Sequence, residues 1–525
     1  MTDTLRKVPQ AEGAGTLVLA SGLVALAGFA ALQGVASSLA GAFEYPLDDV
    51  YIHLAMAEGI AAGGYGVNPG EYAAADSSIL YPALLVPFAG SAWQRYLPFL
   101  WNMAGAVAMA ALWGAALARS AFPAGGRWAL ALVGPLALNF VGVAYTGMEH
   151  SLQGAAALAL VLGLWHFLSE GRIGALLVVG VLVGPLLRFE GLALSGLACL
   201  VLAAHRRSGT AVLLGLGAAL PVAAFVAFLQ AKGLGSLPAS VQAKTALAIP
   251  EAGPVIRAIA TPLQNLADPR GVLLAGLTVL CLGLPAGLAE MRKTPRGWLL
   301  GVVGLAGAAH LLAGQVGGMS RYEIYIVAAL TMALVLASAG LSRRAGAWGA
   351  AGVGLVCLCA GAVYGPDLWR SYLWNPQSVH LQQAQMARFV DEYLDAPVAV
   401  NDLGWVAWQN DHYVVDLVGL GSLEALKARL EQQDPSWATA VMARHNAQLA
   451  MIYDSWFQDI VGPDWVRLGT LSILAPRGRL GGNEVAFYAS SAEAAVDLRK
   501  KLEAFAPSLP PGAVFTFATN AQGGL

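Results

Sequence analysis

The sequence predicts an α-helical polytopic membrane protein of about 11 crossings that ends in an α/β domain outside the membrane. Three observations predict it. Only 12% of the 525 residues are charged, against about 25% in a soluble domain, and the mean hydropathy is +0.61. Apolar runs of about 20 residues, the length a crossing needs, recur up to residue 365. From residue 366 to residue 525 the apolar runs are short and polar sequence separates them. The net charge of −2 offers nothing to attract a nucleic acid.

The first run, residues 15–41, follows Arg6 and Lys7. It is longer than the ~7–15 residues of a signal-peptide core, so it reads as a retained crossing. Further spans are expected near 96–118, 128–146, 151–169, 172–187, 190–204, 211–231, 271–289, 298–315, 322–341 and 346–364. Arg119, Arg127, Arg172, Arg206, Arg207, Arg292, Lys293, Arg296, Arg343 and Arg344 fall on the side of Arg6 and Lys7. The positive-inside rule makes that side cytoplasmic. The alternation holds if residues 79–91, broken by Trp93, Gln94 and Arg95, form a re-entrant piece. The N-terminus is then inside and the C-terminal domain outside, as in a multi-pass protein of a bacterial inner membrane. The 62 glycines suit close helix packing in lipid. Cys199, Cys281, Cys357 and Cys359 all lie in apolar stretches and read as packing residues, with neither disulfide nor metal spacing.

Beyond residue 365, strands are expected at 398–402, 413–420, 449–454 and 485–490, with a helix at 422–433 between them. The Pro- and Gly-rich tail from Pro507 is expected to be loosely ordered.

Within residues 1–365 the chemistry gathers in the outer loops, above all the first, residues 42–78. Asp48 and Asp49 follow directly on the first crossing, where a carboxylate pair is costly and usually functional. Ile52, Ala55, Met56 and Ile60 then repeat at helical spacing, as in a helix lying along the membrane. On that reading the acids cap its N-terminus. His53 stands one helical turn after Asp49, a spacing compatible with a divalent metal pair. Glu149 lies at the outer end of the third crossing, as a helix cap or a site residue. Arg188 and Glu190 lie between two apolar runs and need partners or a water-filled cavity. Arg188, Lys244 and Arg321, the last followed by Tyr322, are three outward cations beside apolar sequence. Each alone fits a salt bridge or a snorkelling residue, whereas together they suit a lipid phosphate.

In this order the motifs resemble the GT-C class of bacterial membrane glycosyltransferases, in the branch similar to the terminal arabinofuranosyltransferases of cell-wall assembly. DDVYIHLA at 48–55 and GVNPGE at 66–71 are similar to that branch's Asp-Asp-Ala-Tyr-Ile and Asn-Pro-Gly-Glu segments. GMEHS at 147–151, RFEG at 188–191, PASVQAK at 238–244, Arg321-Tyr322 and DLVGL at 416–420 (preceded by NDLG at 401–404) resemble its later motifs. Phe189 stands where the family has Pro, and Ala239 and Ser240 stand where it has Asn-Thr. AADSSILYP at 74–82 only loosely echoes its Gly-Tyr-Thr stretch.

The resemblance implies transfer of a sugar from a polyprenyl-phosphate donor to an extracytoplasmic glycan or lipid-linked acceptor, with no required cofactor. It casts Asp48 as general base, with Asp49 positioning it or sharing the role. Arg188, Lys244, Arg321 and Tyr322 hold the donor phosphate, and His53, Asn68, Glu149 and Glu190 face substrate. The competing reading is an ion-coupled carrier or flippase. Such transporters tend to show repeated halves with broken helices, and the sequence has no convincing internal repeat.

Overall fold

The computed structural model describes residues 13–236, 238–239, 254–431, 436–479 and 481–519. Arg6, Lys7 and Lys244 lie outside the described residues. Among the described residues, eight helices are long and apolar enough to cross a membrane. They are Ala14–Ala40 (α1), Gln94–Leu117, Ala124–Tyr145, His150–Glu170, Ser208–Ala231, Pro269–Gly287, Pro295–Ala313 and the run Arg343–Leu394. Three shorter apolar helices, Ala175–Leu187, Gly191–Ala204 and Ile324–Ala337, lie between them. His150–Glu170 and Ile324–Ala337 are apolar all round and buried along most of their length, as central helices of a bundle must be. Close packing needs small residues: a Cβ on Gly180 would press on the backbone of Leu160 and Ala156 in the neighbouring helix.

Local chemistry shapes several ends. The span expected at 128–146 is interrupted, because Pro135 removes an amide and Asn139 adopts the left-handed region at φ 60°. Residues 79–91 hold only the single helical turn Tyr81–Leu84, followed by turns through the left-handed Phe88. Arg188 is extended (φ −155°, ψ 140°) and separates two helices that would otherwise fuse.

The last membrane helix, Arg343–Asp367, passes through two π turns and short helices to Leu394 and delivers the chain to a six-stranded mixed sheet. Its strands are β1 (Val398–Val400), β2 (Val414–Asp416), β3 (Leu449–Ile452), β4 (Val466–Ile473), β5 (Glu484–Ala489) and β6 (Ala513–Phe517), in the order β2-β1-β3-β5-β4-β6. β1 pairs parallel with β2 and β3, and the other neighbours are antiparallel. The four expected strands correspond to β1, β2, β3 and β5. The expectation of a loose tail is corrected: residues 513–517 form β6 and pair with β4 from Gly469 to Ile473.

The helix Asp49–Ala61 (α2) is also corrected. Its apolar side chains are enclosed by protein. Val50 to Ala57 are all buried, and they share one apolar core with Val398, Val400, Leu403, Val406, Met451 and Phe487 of the sheet domain. The reason is legible in VYIHLAMA, which is apolar on every face and so must be enclosed.

Candidate functional site

The segment from Phe43 to Ser78, which follows α1, is held between the apolar helices and the sheet domain. Asp48 precedes α2 but makes no side-chain cap to it. Its carboxylate reaches across instead. Gly404 N donates to Oδ2 at 2.7 Å and Trp405 N donates to Oδ1 at 2.9 Å. These are the first amides of the short helix Gly404–Ala407. Burial, and then the Asp402 carboxylate, push Asp48 up against the lowering effect of the two amides. Asp402 is itself raised, first by burial. It accepts from the Tyr453 hydroxyl and from Gln383 Nε2, each at 2.6 Å.

Asp49 faces the other way. Its Oδ2 accepts from Arg321 Nη2 at 2.8 Å. Arg321 is 5% exposed, and its Nε and Nη1 are buried with no hydrogen-bond partner. An unsatisfied buried donor is expensive, and a charged one more so. The loop that presents Arg321 is strained as well. Gly317, Gly318, Met319 and Ser320 are four consecutive residues with positive φ, a conformation costly for the two that carry a Cβ. Surrounding groups enforce it. Asn139 Nδ2 donates to the Ser320 carbonyl at 3.2 Å, the Tyr372 hydroxyl donates to the Met319 carbonyl at 3.2 Å, and Gly317 N donates to Glu323 at 2.8 Å. Ser320 Oγ contacts Asp367 and accepts from Arg270 Nε. Strain over-determined in this way is a mark of functional sites.

Tyr322 joins the two cations. Its ring centroid lies 5.2 Å from the Arg321 guanidinium carbon and 5.5 Å from that of Arg188. Arg188 in turn bridges Glu149 at 2.9 Å and Glu190 at 2.8 Å. Glu149 precedes His150–Glu170 but does not cap it. It accepts from Ser77 at 2.8 Å and has His53 Nε2 at 3.5 Å. Burial alone would raise the Glu149 carboxyl. His150, His53 and Arg188 outweigh burial and hold it well below the usual carboxylate range.

The structure therefore brings Asp49, His53, Glu149, Arg188, Glu190, Arg321 and Tyr322 into one chain of contacts, with Asp48 adjacent on the domain side. One expected member lies elsewhere. Asn68 faces no part of this cluster: it exchanges hydrogen bonds with both backbone groups of Val414 at 3.0 and 2.8 Å and extends the edge of β2. Asp49 Oδ2 pairs with Arg321, and His53 Nε2 lies 3.5 Å from Glu149. Among the described residues no group of three or more His, Cys, Asp or Glu side chains is arranged to hold a metal ion.

Sequence reasoning missed Ser77, Asp402, Gly404 and Trp405. It also missed Glu44, which accepts from the Tyr51 hydroxyl at 2.6 Å and from Trp405 Nε1 at 3.1 Å. The NDLG motif at 401–404 was the one available signal for the domain-side group.

A family model described as a domain of unknown function, DUF8728, matches residues 374–488. That stretch carries β1 to β4 and β5 up to Tyr488, together with Asp402, Gly404 and Trp405. No curated protein matches the chain.

Proposed function

We propose that the protein is an integral membrane glycosyltransferase of GT-C type, moving a sugar from a polyprenyl-phosphate donor to an extracytoplasmic glycan or lipid-linked acceptor. The observation that carries this reading is the buried Arg321 guanidinium, with two unpaired N–H groups beside a carboxylate pair at the ends of apolar helices. A guanidinium fork with vacant donors suits a phosphate oxygen pair, and the neighbouring carboxylate suits a proton acceptor.

In this mechanism the acceptor hydroxyl attacks the anomeric carbon and the bond to the lipid phosphate breaks. The hydroxyl proton passes to Asp48, whose proton affinity burial raises, as suits a general base. Asp49 fixes Arg321. Arg321, with Tyr322 and Arg188 behind it, stabilises the charge that develops on the departing phosphate. Lys244 joins them in the proposal by sequence alone. An apolar cavity of about 450 Å³ lies between α1, residues 136–142 and residues 361–373. Asn139 and Tyr372 on its wall bond the loop next to Arg321, so the cavity supports a lipid chain running beside the headgroup. Counting the three shorter helices as crossings gives 11 with the eight long ones. With the N-terminus inside, that parity supports a sheet domain outside a bacterial inner membrane.

The test is Asp48→Asn in purified protein supplied with a radiolabelled polyprenyl-phosphate sugar. Transfer should fall by about 10²–10⁴-fold, with donor binding kept. Wild-type turnover in both Asp48→Asn and Asp49→Asn rejects the assignment, and loss of uptake without any transferase activity points to a carrier.

A further inference from the structure

We propose that the C-terminal domain is a working part of this site, with the backbone amides of Gly404 and Trp405 positioning the Asp48 carboxylate. The inference rests on the glycosyl-transfer reading, and it gives a role to the stretch that the family model covers without assigning one.

The contact is built rather than incidental. Each oxygen of Asp48 has its own amide, so the plane of the carboxylate is fixed. Gly404 has no room for a side chain: a Cβ there would collide with the Asp48 carbonyl and carboxylate oxygens. The flanking residues grip the same loop. Trp405 stacks on Tyr51 with ring centroids 4.4 Å apart and donates to Glu44 at 3.1 Å. Trp408 Nε1 donates to Gln94 Oε1 at 2.9 Å, and Gln409 N donates to Glu58 at 3.0 Å. Three acids of the first outer segment, Glu44, Asp48 and Glu58, thus end on six residues of the sheet domain, 404–409. An anchor that served only to dock the domain would be satisfied by the apolar core already shared with α2.

The turn that presents the two amides is itself tied down. Asp402 Oδ2 accepts from Tyr453 and Gln383, and the Tyr453 hydroxyl is also 2.7 Å from Gln382 Oε1. The residues leading into Gly404 and Trp405 are thus held from within the sheet domain, which fixes where the Asp48 carboxylate points.

The experiment uses the full chain in lipid nanodiscs and has two arms. In the kinetic arm, Gly404→Ala displaces the amides and should lower kcat by about 10²-fold, the cost of roughly 1 Å of misplacement, with donor KM nearly unchanged. A fall in kcat with an unchanged KM is the mark of a positioning role, which a merely structural residue would not give. The second arm stays informative if Gly404→Ala fails to fold. The second arm needs no turnover: hydrogen exchange at the 404 and 405 amides in Asp48→Ala. Loss of protection there supports the contact, and unchanged protection overturns the proposal. Lost protection in a protein whose wild type transfers no sugar overturns the glycosyl-transfer reading, and with it the positioning role, leaving a docking contact only.

Discussion

Replacing Arg321 by Ala removes the group on which the proposed donor site depends, and the structure sets the size of the effect. The guanidinium spends Nη2 on Asp49 at 2.8 Å and on the Tyr322 hydroxyl at 3.3 Å. Nε and Nη1 remain buried and unpaired. Two hydrogen bonds to a phosphate at about 1.5–3 kcal/mol each amount to roughly 3–6 kcal/mol. At 1.36 kcal/mol per decade, that is a loss of about 10²–10⁴-fold in donor affinity or in kcat/KM. The structural cost should be far smaller. Asp49 is 29% exposed, so water takes over much of its pairing, and a partly exposed ion pair contributes about 1 kcal/mol or less. Arg321→Lys keeps a charge but not the fork. Its ammonium can serve Asp49 or the phosphate and not both in the same geometry, so it should fall between wild type and Ala. Binding of a sugar-free polyprenyl phosphate, measured by calorimetry in nanodiscs, reads this directly, with the melting temperature as control. Arg321→Ala that binds the lipid phosphate within about threefold of wild type, less than half a decade, would refute the reasoning.

Asp416 gives a stability prediction. Its buried carboxylate accepts from Val418 N, Leu420 N and Gly421 N at 2.9, 2.6 and 2.8 Å. Asp416→Ala strands three amides and should cost at least about 2 kcal/mol, seen as a lower melting temperature of the full chain with helical content kept; an unchanged melting temperature argues against it. Burial also raises this carboxyl to about 6, against the lowering amides, whereas it titrates near 3.9 when unfolded. The folded state then binds the proton more tightly, so the contribution is full below about pH 4 and is lost as pH rises through about 6. Asp416→Asn should abolish that slope, and a slope equal to wild type would exclude Asp416 as its source. For orientation, a reporter active only outside the cytoplasm, fused after residue 370, should be active. Activity of a cytoplasmic reporter there instead would reverse the proposed parity.

The sequence by itself determined the class of the protein. Hydropathy alone calls for helices in lipid, since a buried backbone must satisfy its own hydrogen bonds, and short apolar runs announced β1, β2, β3 and β5. It also marked out Asp48, Asp49, Glu149, Arg188 and Arg321, because charges beside apolar helices are costly enough to need a reason. β6 was hidden by the Pro and Gly around it; its pairing with β4 is a long-range contact that local composition does not record.

Only the tertiary structure decided what the marked residues touch. Asp48 and Asp49 are adjacent in the chain, yet one meets amides more than 350 residues away and the other a guanidinium 272 residues away. Asn68, polar and in a Gly-Pro loop, looked like a site residue and instead completes the edge of a strand. α2 looked like a surface helix, and the sheet domain enclosed it. The reason is common to all three. Periodicity and propensity act over a few residues, whereas the partner of a polar side chain is whatever the packing of distant helices and strands leaves within about 3 Å of it.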